Sequence, residues 1–117
     1  YLLYSRVDFR RVKLVSFANI TNYPTFEHDK EIDPRKVYIA DRDNHCIRRI
    51  YIKQANVDTI AGICGIPGFK DGLFGQNLLN KPELVSTDKN GTIFIYDSGN
   101  RYIRMVNPAT KIMYTLI

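Results

Sequence analysis

The feature of the sequence that most constrains its fold is an internal repeat with a constant spacing of 56 residues, as from position 41 to position 97. Residues 37–41 (VYIAD) match residues 93–97 (IFIYD), and no gap is needed further along. The other aligned pairs are Asn44 and Asn100, Ile47 and Ile103, Arg48 and Arg104, Ile50 and Val106, Val57 and Met113, Thr59 and Thr115, and Ile60 and Leu116. Such a repeat predicts one supersecondary unit used twice, with neighbouring copies covering each other's apolar faces.

Each copy has the composition of β-strands. Segments 37–40 and 93–96 are short and rich in β-branched and aromatic residues, which suit a pleated, half-buried surface. Turn-forming residues fill 42–45 and 98–101, and Asn90-Gly91 is a hairpin signal. The further strands are predicted at 46–51, 56–61, 83–87, 102–106 and 112–117. We therefore predict four antiparallel strands at 32–61 and at 83–117, and no helix longer than about two turns.

The predicted middle strand of the first copy is apolar at both odd and even positions, with Ile47, Ile50 and Tyr51. A strand of this kind must be covered on both faces, as it is when sheets stack radially in a β-propeller. The sequence thus predicts an all-β fold of propeller blades with four antiparallel strands each. Two blades leave the ring incomplete, because propellers need ~4–8. We expect the chain to be a fragment whose remaining blades come from the same protein.

Residues 37–41, 43–45 and 47–50 (VYIAD, DNH, IRRI) resemble the centre of an NHL repeat, a β-propeller motif. Residues 59–62 (TIAG) and the glycines that follow resemble the link to the next blade, and residues 78–82 resemble the approach to the next inner strand. The resemblance covers residues 32–117. It implies two NHL-type blades, at 32–61 and 83–117, joined by a connection at 62–82. Residues 1–31 are interpreted as a partial preceding blade, with strands at 2–7 and 11–17 and an irregular insertion at 18–31.

The polar residues that recur in both copies are predicted to be structural. Carboxylate and amide side chains are suited to closing turns through bonds to the backbone, and Arg is suited to pairing with the nearby Asp. These residues are Asp41, Asn44, Arg48, Asp97, Asn100 and Arg104. A cation site at Asp41, Asp43 and Asn44 is the alternative, but the second copy has Gly99 where the first has Asp43.

No catalytic constellation is visible in the sequence. The two histidines, His28 and His45, and the two cysteines lack the spacing of a zinc site. The glycines at 62–75 are not followed by a Lys-Ser/Thr pair or a helical period, so a phosphate-binding loop is not predicted. We therefore expect no enzyme activity, no cofactor and no metal. No apolar run approaches the ~20 residues of a membrane helix, so no membrane span is expected.

Cys46 and Cys64 are candidates for a disulfide, since the hairpin that begins at residue 46 returns the chain toward its start. Two reduced, buried thiols are equally compatible with the sequence. Two sequons, Asn19-Ile20-Thr21 and Asn90-Gly91-Thr92, are compatible with secretion. We expect an extracellular or secretory-pathway location, with the cytoplasm as the alternative.

Three functions are compatible with such a propeller. The favoured one is a non-catalytic binding or scaffold module that engages a protein partner through its rim loops. Loop and turn residues of types enriched at interfaces are the candidate contacts, namely Arg42, Arg49, Phe69, Lys70 and Tyr102. The second is binding of single-stranded RNA, which the net charge of +5 and eight tyrosines would suit. The third, ranked last, is a propeller lyase or lactonase.

Overall fold

The computed structural model describes the backbone of residues 14–18, 36–51 and 56–117, and the side chains of the last two ranges. Within these ranges the chain forms nine strands and one three-residue 3-10 helix, Arg42–Asn44. The strands are β1 (Leu14–Ala18), β2 (Lys36–Asp41), β3 (Cys46–Tyr51), β4 (Asn56–Gly62), β5 (Gly72–Leu73), β6 (Pro82–Thr87), β7 (Ile93–Asp97), β8 (Tyr102–Asn107) and β9 (Ile112–Thr115). The predicted all-β class is confirmed, and no helix in the described ranges has the length and apolarity to cross a membrane.

The first sheet is antiparallel, with the order β1-β2-β3-β4. Three of its strands are those predicted for the first copy, but the fourth lies outside 32–61. It is β1, whose Leu14 pairs with Ala40 and whose Ala18 pairs with Lys36. The described part of the strand predicted at 11–17 therefore lies in the same sheet as the first copy, and Ala18, predicted as the start of an insertion at 18–31, is its last residue. The strand predicted at 2–7 and the rest of the insertion lie outside the described residues.

The second sheet contains the four strands predicted for the second copy and one more. Its order is β5-β9-β8-β7-β6, and the additional short strand β5 pairs Gly72 with Met113. The Asn-Gly turn joins β6 to β7 as predicted. There the carboxylate of Asp88 accepts the N–H groups of Asn90 and Thr92, and Gly91 has a φ of 85°.

The two copies have the same backbone conformation at the turn that follows the recurring Asp, which is Asp41 in the first copy and Asp97 in the second. Asp41 pairs with Cys46 across one turn, and Asp97 pairs with Tyr102 across the other. The last turn residue lies in the left-handed region in both, with a φ of 62° at His45 and 61° at Arg101. The spacing of 56 residues found in the sequence is thus also a structural equivalence.

The two sheets share one apolar core. Its members from the first sheet are Tyr38, Ala40, Ile47, Ile60 and Ala61, and those from the second are Val85, Ile93, Ile95, Val106 and Met113. Leu79, from the segment between the sheets, is fully buried among them. A separate cluster of Val37, Ile39, Ile50 and Val57 uses the alternate positions of the first sheet and so lies on its other face.

The sheets stack head to tail, since each contributes a different face to the shared core. Tyr38 and Ala40 represent the first sheet there, but their equivalents at a spacing of 56, Phe94 and Tyr96, are not core members. The second sheet instead contributes Ile93 and Ile95, which are equivalent to Val37 and Ile39 on the opposite face of the first sheet. Contacts of this heterologous kind extend naturally to further copies.

The remaining face of the second sheet is only partly covered. Leu84 is 51% exposed and Tyr114 is 43% exposed, and they lie in register with the half-buried Tyr96 and Met105. Since the equivalent face of the first sheet packs into the shared core, this face has the residue pattern of a packing surface. Within the described residues the two sheets stack but do not close a ring.

The connection from β4 to β6, residues 63–81, includes the short strand β5 and is held in place by hydrogen bonds to backbone groups. Asn77 is fully buried, and its side chain accepts the N–H of Gly62 at 2.6 Å and donates to the carbonyls of Gly72 and Leu73. The N–H of Gly65 bonds the carbonyl of Asn44, and that of Gly68 bonds the carbonyl of Leu79. This segment is therefore an ordered element of the fold, with its direction set at both ends.

Candidate functional site

The first copy places its recurring polar residues together beneath the turn 42–45. Asp41 is buried, and its carboxylate accepts a hydrogen bond from the amide of Asn44 at 3.3 Å. Arg48 lies 3.5 Å from the same oxygen atom, in an ion pair that is mostly shielded from solvent. Arg48 thus pairs with Asp41 as the sequence suggested, while the Asn44 amide bonds a side chain where a bond to the backbone was expected.

The second copy builds the same arrangement with shorter distances. Asp97 and Arg104 are both fully buried, and their closest N–O distance is 2.7 Å. Asn100 donates to the same carboxylate at 2.6 Å, and the N–H of Asn80 bonds its other oxygen at 2.7 Å. A buried ion pair is tolerated only when further hydrogen bonds satisfy both partners, and here the carboxylate has three donors.

Arg104 connects this buried cluster to the segment between the sheets. Its guanidinium donates to the carbonyls of Lys70 and Leu78 and to the carboxylate of Asp71 at 2.7 Å. Asp71 in turn accepts the N–H and the hydroxyl of Thr115. Partial burial alone would raise the pKa of Asp71, but the hydrogen bonds from Arg104 and Thr115 outweigh it and lower that pKa below the ordinary 3.8. Five hydrogen bonds thus hold residues 70–78 against the second sheet.

An exposed aromatic pair lies directly on this network. The rings of Phe69 and Tyr102 stack with centroids 5.1 Å apart and an interplanar angle of 24°. The two residues are 51% and 43% exposed. The guanidinium carbon of Arg104 lies 4.7 Å from the centroid of Phe69, which is a cation–π contact from below the surface. Large side chains that are both exposed and held in one conformation have the character of binding anchors.

Three exposed cations lie on the segments that carry or meet the aromatic pair. Lys70 adjoins Phe69, Arg101 adjoins Tyr102, and the N–H of Lys81 is bonded to the imidazole of His45. The turn 98–101 brings them together, because the N–H of Gly99 bonds the carbonyl of Asn80. We call Phe69, Lys70, Lys81, Arg101 and Tyr102 the turn-side surface. It lies at the end of the sheets that carries the turns 42–45 and 98–101.

The structure stacks Phe69, which adjoins Lys70, on Tyr102, whereas the other two predicted contact residues are engaged in ion pairs. Arg42 is half-buried and paired with Asp43 and Glu83, and because Glu83 also accepts the hydroxyl of Ser98, this carboxylate joins the two turns. Arg49 forms two hydrogen bonds with Asp58, at 2.6 and 3.0 Å, and lies over the ring of Tyr51. Burial alone would lower the pKa of Arg49, but the bonds and charge of Asp58 outweigh it and raise that pKa.

Lys81 and Arg101 were not among the residues selected from the sequence. Both have a positive φ, 51° and 61°, and both are exposed. The signal available for Arg101 was its position next to Tyr102 in a predicted turn. No signal marked Lys81, because its place at this surface depends on the path of the connection.

Cys46 and Cys64 form a disulfide, which decides the alternative that the sequence left open. Their Cα atoms are 5.0 Å apart, and the bond fixes the start of β3 to the connection. The hydroxyl of Thr59 lies 3.5 Å from the sulfur of Cys64, beside a shallow depression lined by Thr59, Gly62, Ile63, Cys64 and Gly75. Across 36–51 and 56–117 no three His, Cys, Asp or Glu side chains are grouped as metal ligands.

Two relatives of this chain are found among curated proteins. The protein SUPPRESSOR OF QUENCHING 1, chloroplastic, of Arabidopsis thaliana is 33% identical over 72 residues, which is 62% of this chain and 7% of that protein. NHL repeat-containing protein 2 of Gallus gallus is 30% identical over 81 residues, which is 68% of this chain and 11% of that protein. The chain thus spans a small part of the length of each relative. No protein-family model matches it.

Proposed function

We propose that this chain belongs to the NHL-repeat family and that its two sheets are consecutive blades of a β-propeller. The head-to-tail stacking supports this, because a ring requires every blade to present one face forward and the other face back. The similarity to a protein named for its NHL repeats supports it independently. In this proposal the blades comprise β1–β4 and β6–β9, residues 62–82 connect them, and a further blade covers the face of Leu84 and Tyr114.

The proposed function is that of a non-catalytic binding module whose turn-side surface engages a protein partner. The observation that carries the proposal is the exposed Phe69–Tyr102 stack supported by the fully buried Arg104. Aromatic residues that are already ordered lose little conformational entropy on binding, so their contact area contributes efficiently to affinity. The buried ion pair beneath them has no access to a substrate, which fits a supporting role.

Site-specific photo-crosslinking tests this proposal. A benzophenone amino acid replaces Tyr102 in one variant and Lys89 in a control variant, and each is irradiated in cells that express the full-length protein. Lys89 is exposed in the β6–β7 hairpin, at the other end of the second sheet. We expect a discrete protein adduct from position 102 that is absent from position 89. Equal adducts at both positions, or turnover of a lactone substrate by the purified protein, would refute the proposal.

Binding of single-stranded RNA is the second candidate function, because the turn-side surface combines aromatic rings with cations. Stacking on the rings and neutralisation of phosphates would give an affinity that falls steeply with salt. A fluorescent oligonucleotide titrated at several salt concentrations distinguishes this candidate from the first. A lyase or lactonase remains the last-ranked proposal, since no observation on the described residues supports it.

We propose an extracellular or secretory-pathway location on the basis of the Cys46–Cys64 disulfide. Structural disulfides persist in oxidising compartments and are rare in the cytosol. The printed name of the Arabidopsis relative assigns that protein to the chloroplast, which is a different compartment. Immunolocalisation of the endogenous protein with a secretory-pathway marker distinguishes these locations, and a cytosolic signal would contradict the proposal.

A further inference from the structure

We infer that the partner segment recognised by the turn-side surface is an acidic peptide that carries an aromatic or aliphatic residue. This inference rests on the proposed function and adds the chemistry of the partner to it. It is carried by the juxtaposition of three exposed cations with the stacked rings of Phe69 and Tyr102.

The charge available at this surface is positive. Arg104 is shared by Asp71 and Asp97, so this group keeps one negative charge. Arg42 is likewise shared by Asp43 and Glu83, which keep a second negative charge. In contrast, Lys70, Lys81 and Arg101 form no ion pair within residues 36–51 and 56–117. These three exposed cations, set against the two remaining negative charges, give the surface a net charge of +1. Unpaired cations beside paired carboxylates attract an anionic segment and disfavour a basic one.

The apolar part of this surface suits one inserted side chain better than a row of nucleotide bases. Phe69 and Tyr102 stack on each other, and the guanidinium of Arg104 also lies over the ring of Phe69, so neither ring has both faces open to a base. Single-stranded nucleic acids bind along successive aromatic platforms that each receive a base. Ile66, three residues before Phe69 in the connection, is a further exposed aliphatic residue, at 51%. An aromatic or aliphatic side chain flanked by carboxylates matches both the rings and the cations.

Selection from a phage-displayed random dodecapeptide library tests the inference on the full chain. We expect enriched peptides in which Asp or Glu flanks an aromatic or aliphatic residue. Their affinity should fall about tenfold or more with the variant Lys70→Glu/Arg101→Glu, because two attractions become repulsions. The control Lys89→Glu/Lys111→Glu has the same net charge and, like the test variant, changes one residue with a φ of 61°. We expect it to bind the same peptides within about twofold of the unmodified chain.

Two results would overturn the inference. One is enrichment of peptides without acidic character, and the other is an equal loss of affinity with both double variants. Circular dichroism of the two variants shows whether both are folded. The failure of this inference is distinct from that of the proposed function, since a protein adduct from position 102 would stand even if the selected peptides were not acidic. If an oligouridylate displaces the selected peptides and competing acidic peptides do not, the result would favour RNA as the ligand.

Discussion

Replacement of Arg104 by Met should be among the most destabilising single changes in the described part of the chain. Arg104 is fully buried and donates hydrogen bonds to two carboxylates and two carbonyls. Met preserves much of the side-chain volume but supplies no donor and no charge. The variant leaves Asp97, which is fully buried, with only Asn100 and the N–H of Asn80 as donors.

The expected loss follows from the burial of both charges. Removing one partner of a buried ion pair costs about 3–5 kcal/mol, because the other charge remains in a poorly solvated site. Since one kcal/mol corresponds to about 4 °C in a domain of this size, the melting temperature should fall by roughly 12–20 °C. The double variant Arg104→Met/Asp97→Asn should recover part of this loss, because it leaves no unpaired charge in the core.

Urea denaturation followed by circular dichroism measures these differences. The matched control is Arg49→Met, which breaks another Arg–Asp pair in a setting where Asp58 is 42% exposed. Because Arg49 is 16% exposed and Asp58 keeps contact with solvent, this pair is only partly shielded, so the control should lower the midpoint by less than Arg104→Met. Equal midpoints for Arg104→Met and Arg49→Met would refute the argument from burial. If Arg104→Met is too unstable to fold, the double variant Arg104→Met/Asp97→Asn becomes the test, and its failure to fold would refute the argument from burial.

Three further predictions concern the cross-link, pH and backbone. Reduction of Cys46–Cys64, with a sequence separation of 18, should lower the free energy of unfolding by about 3 kcal/mol, and an unchanged urea midpoint with reductant would contradict this. The pKa of Asp71 in the folded protein lies below 3.8, its ordinary value. Its contribution to the free energy of unfolding should therefore be complete above pH 3.8 and be lost as the pH falls through the folded pKa. Stability should therefore rise with pH in this acidic window, and Asp71→Asn should flatten the slope. Gly62→Ala should lower the melting temperature more than Gly75→Ala, since both residues have a positive φ but only at Gly62 would a Cβ overlap the carbonyl of His45.

The parts of this fold that the sequence predicted are those encoded locally and repeated. Strand composition, the Asn-Gly hairpin and the turns 42–45 and 98–101 each depend on a few adjacent residues. The proximity of Arg104 to Asp97 could also be predicted, because Arg104 lies two residues beyond Tyr102, the register partner of Asp97, and is therefore its diagonal neighbour on the same face of the sheet. Recurrence of the same pair at Arg48 and Asp41 gave the prediction a second instance.

The parts that the sequence did not predict depend on the path of the chain between the repeats. The pairing of β1 with β2 spans a long connection, and no local signal sets such a register. Asn77 reads as an ordinary loop residue, and its burial follows from the N–H of Gly62 that it must satisfy. Arg49 was selected for its residue type, but its pairing with Asp58 across β3 and β4 was decided by strand register.

One position of the repeat contacts the connection in both copies, but with different chemistry in each. Cys46 and Tyr102 are equivalent, and each is the first residue of its strand after a turn residue in the left-handed region. Cys46 is bonded to Cys64 at the start of the connection, whereas Tyr102 stacks on Phe69 further along the same connection. The same strand position therefore fixes this segment from the first sheet by a covalent bond and from the second by an aromatic contact. Because the aromatic contact is the more exposed of the two, the proposed binding surface lies where the connection meets the second copy.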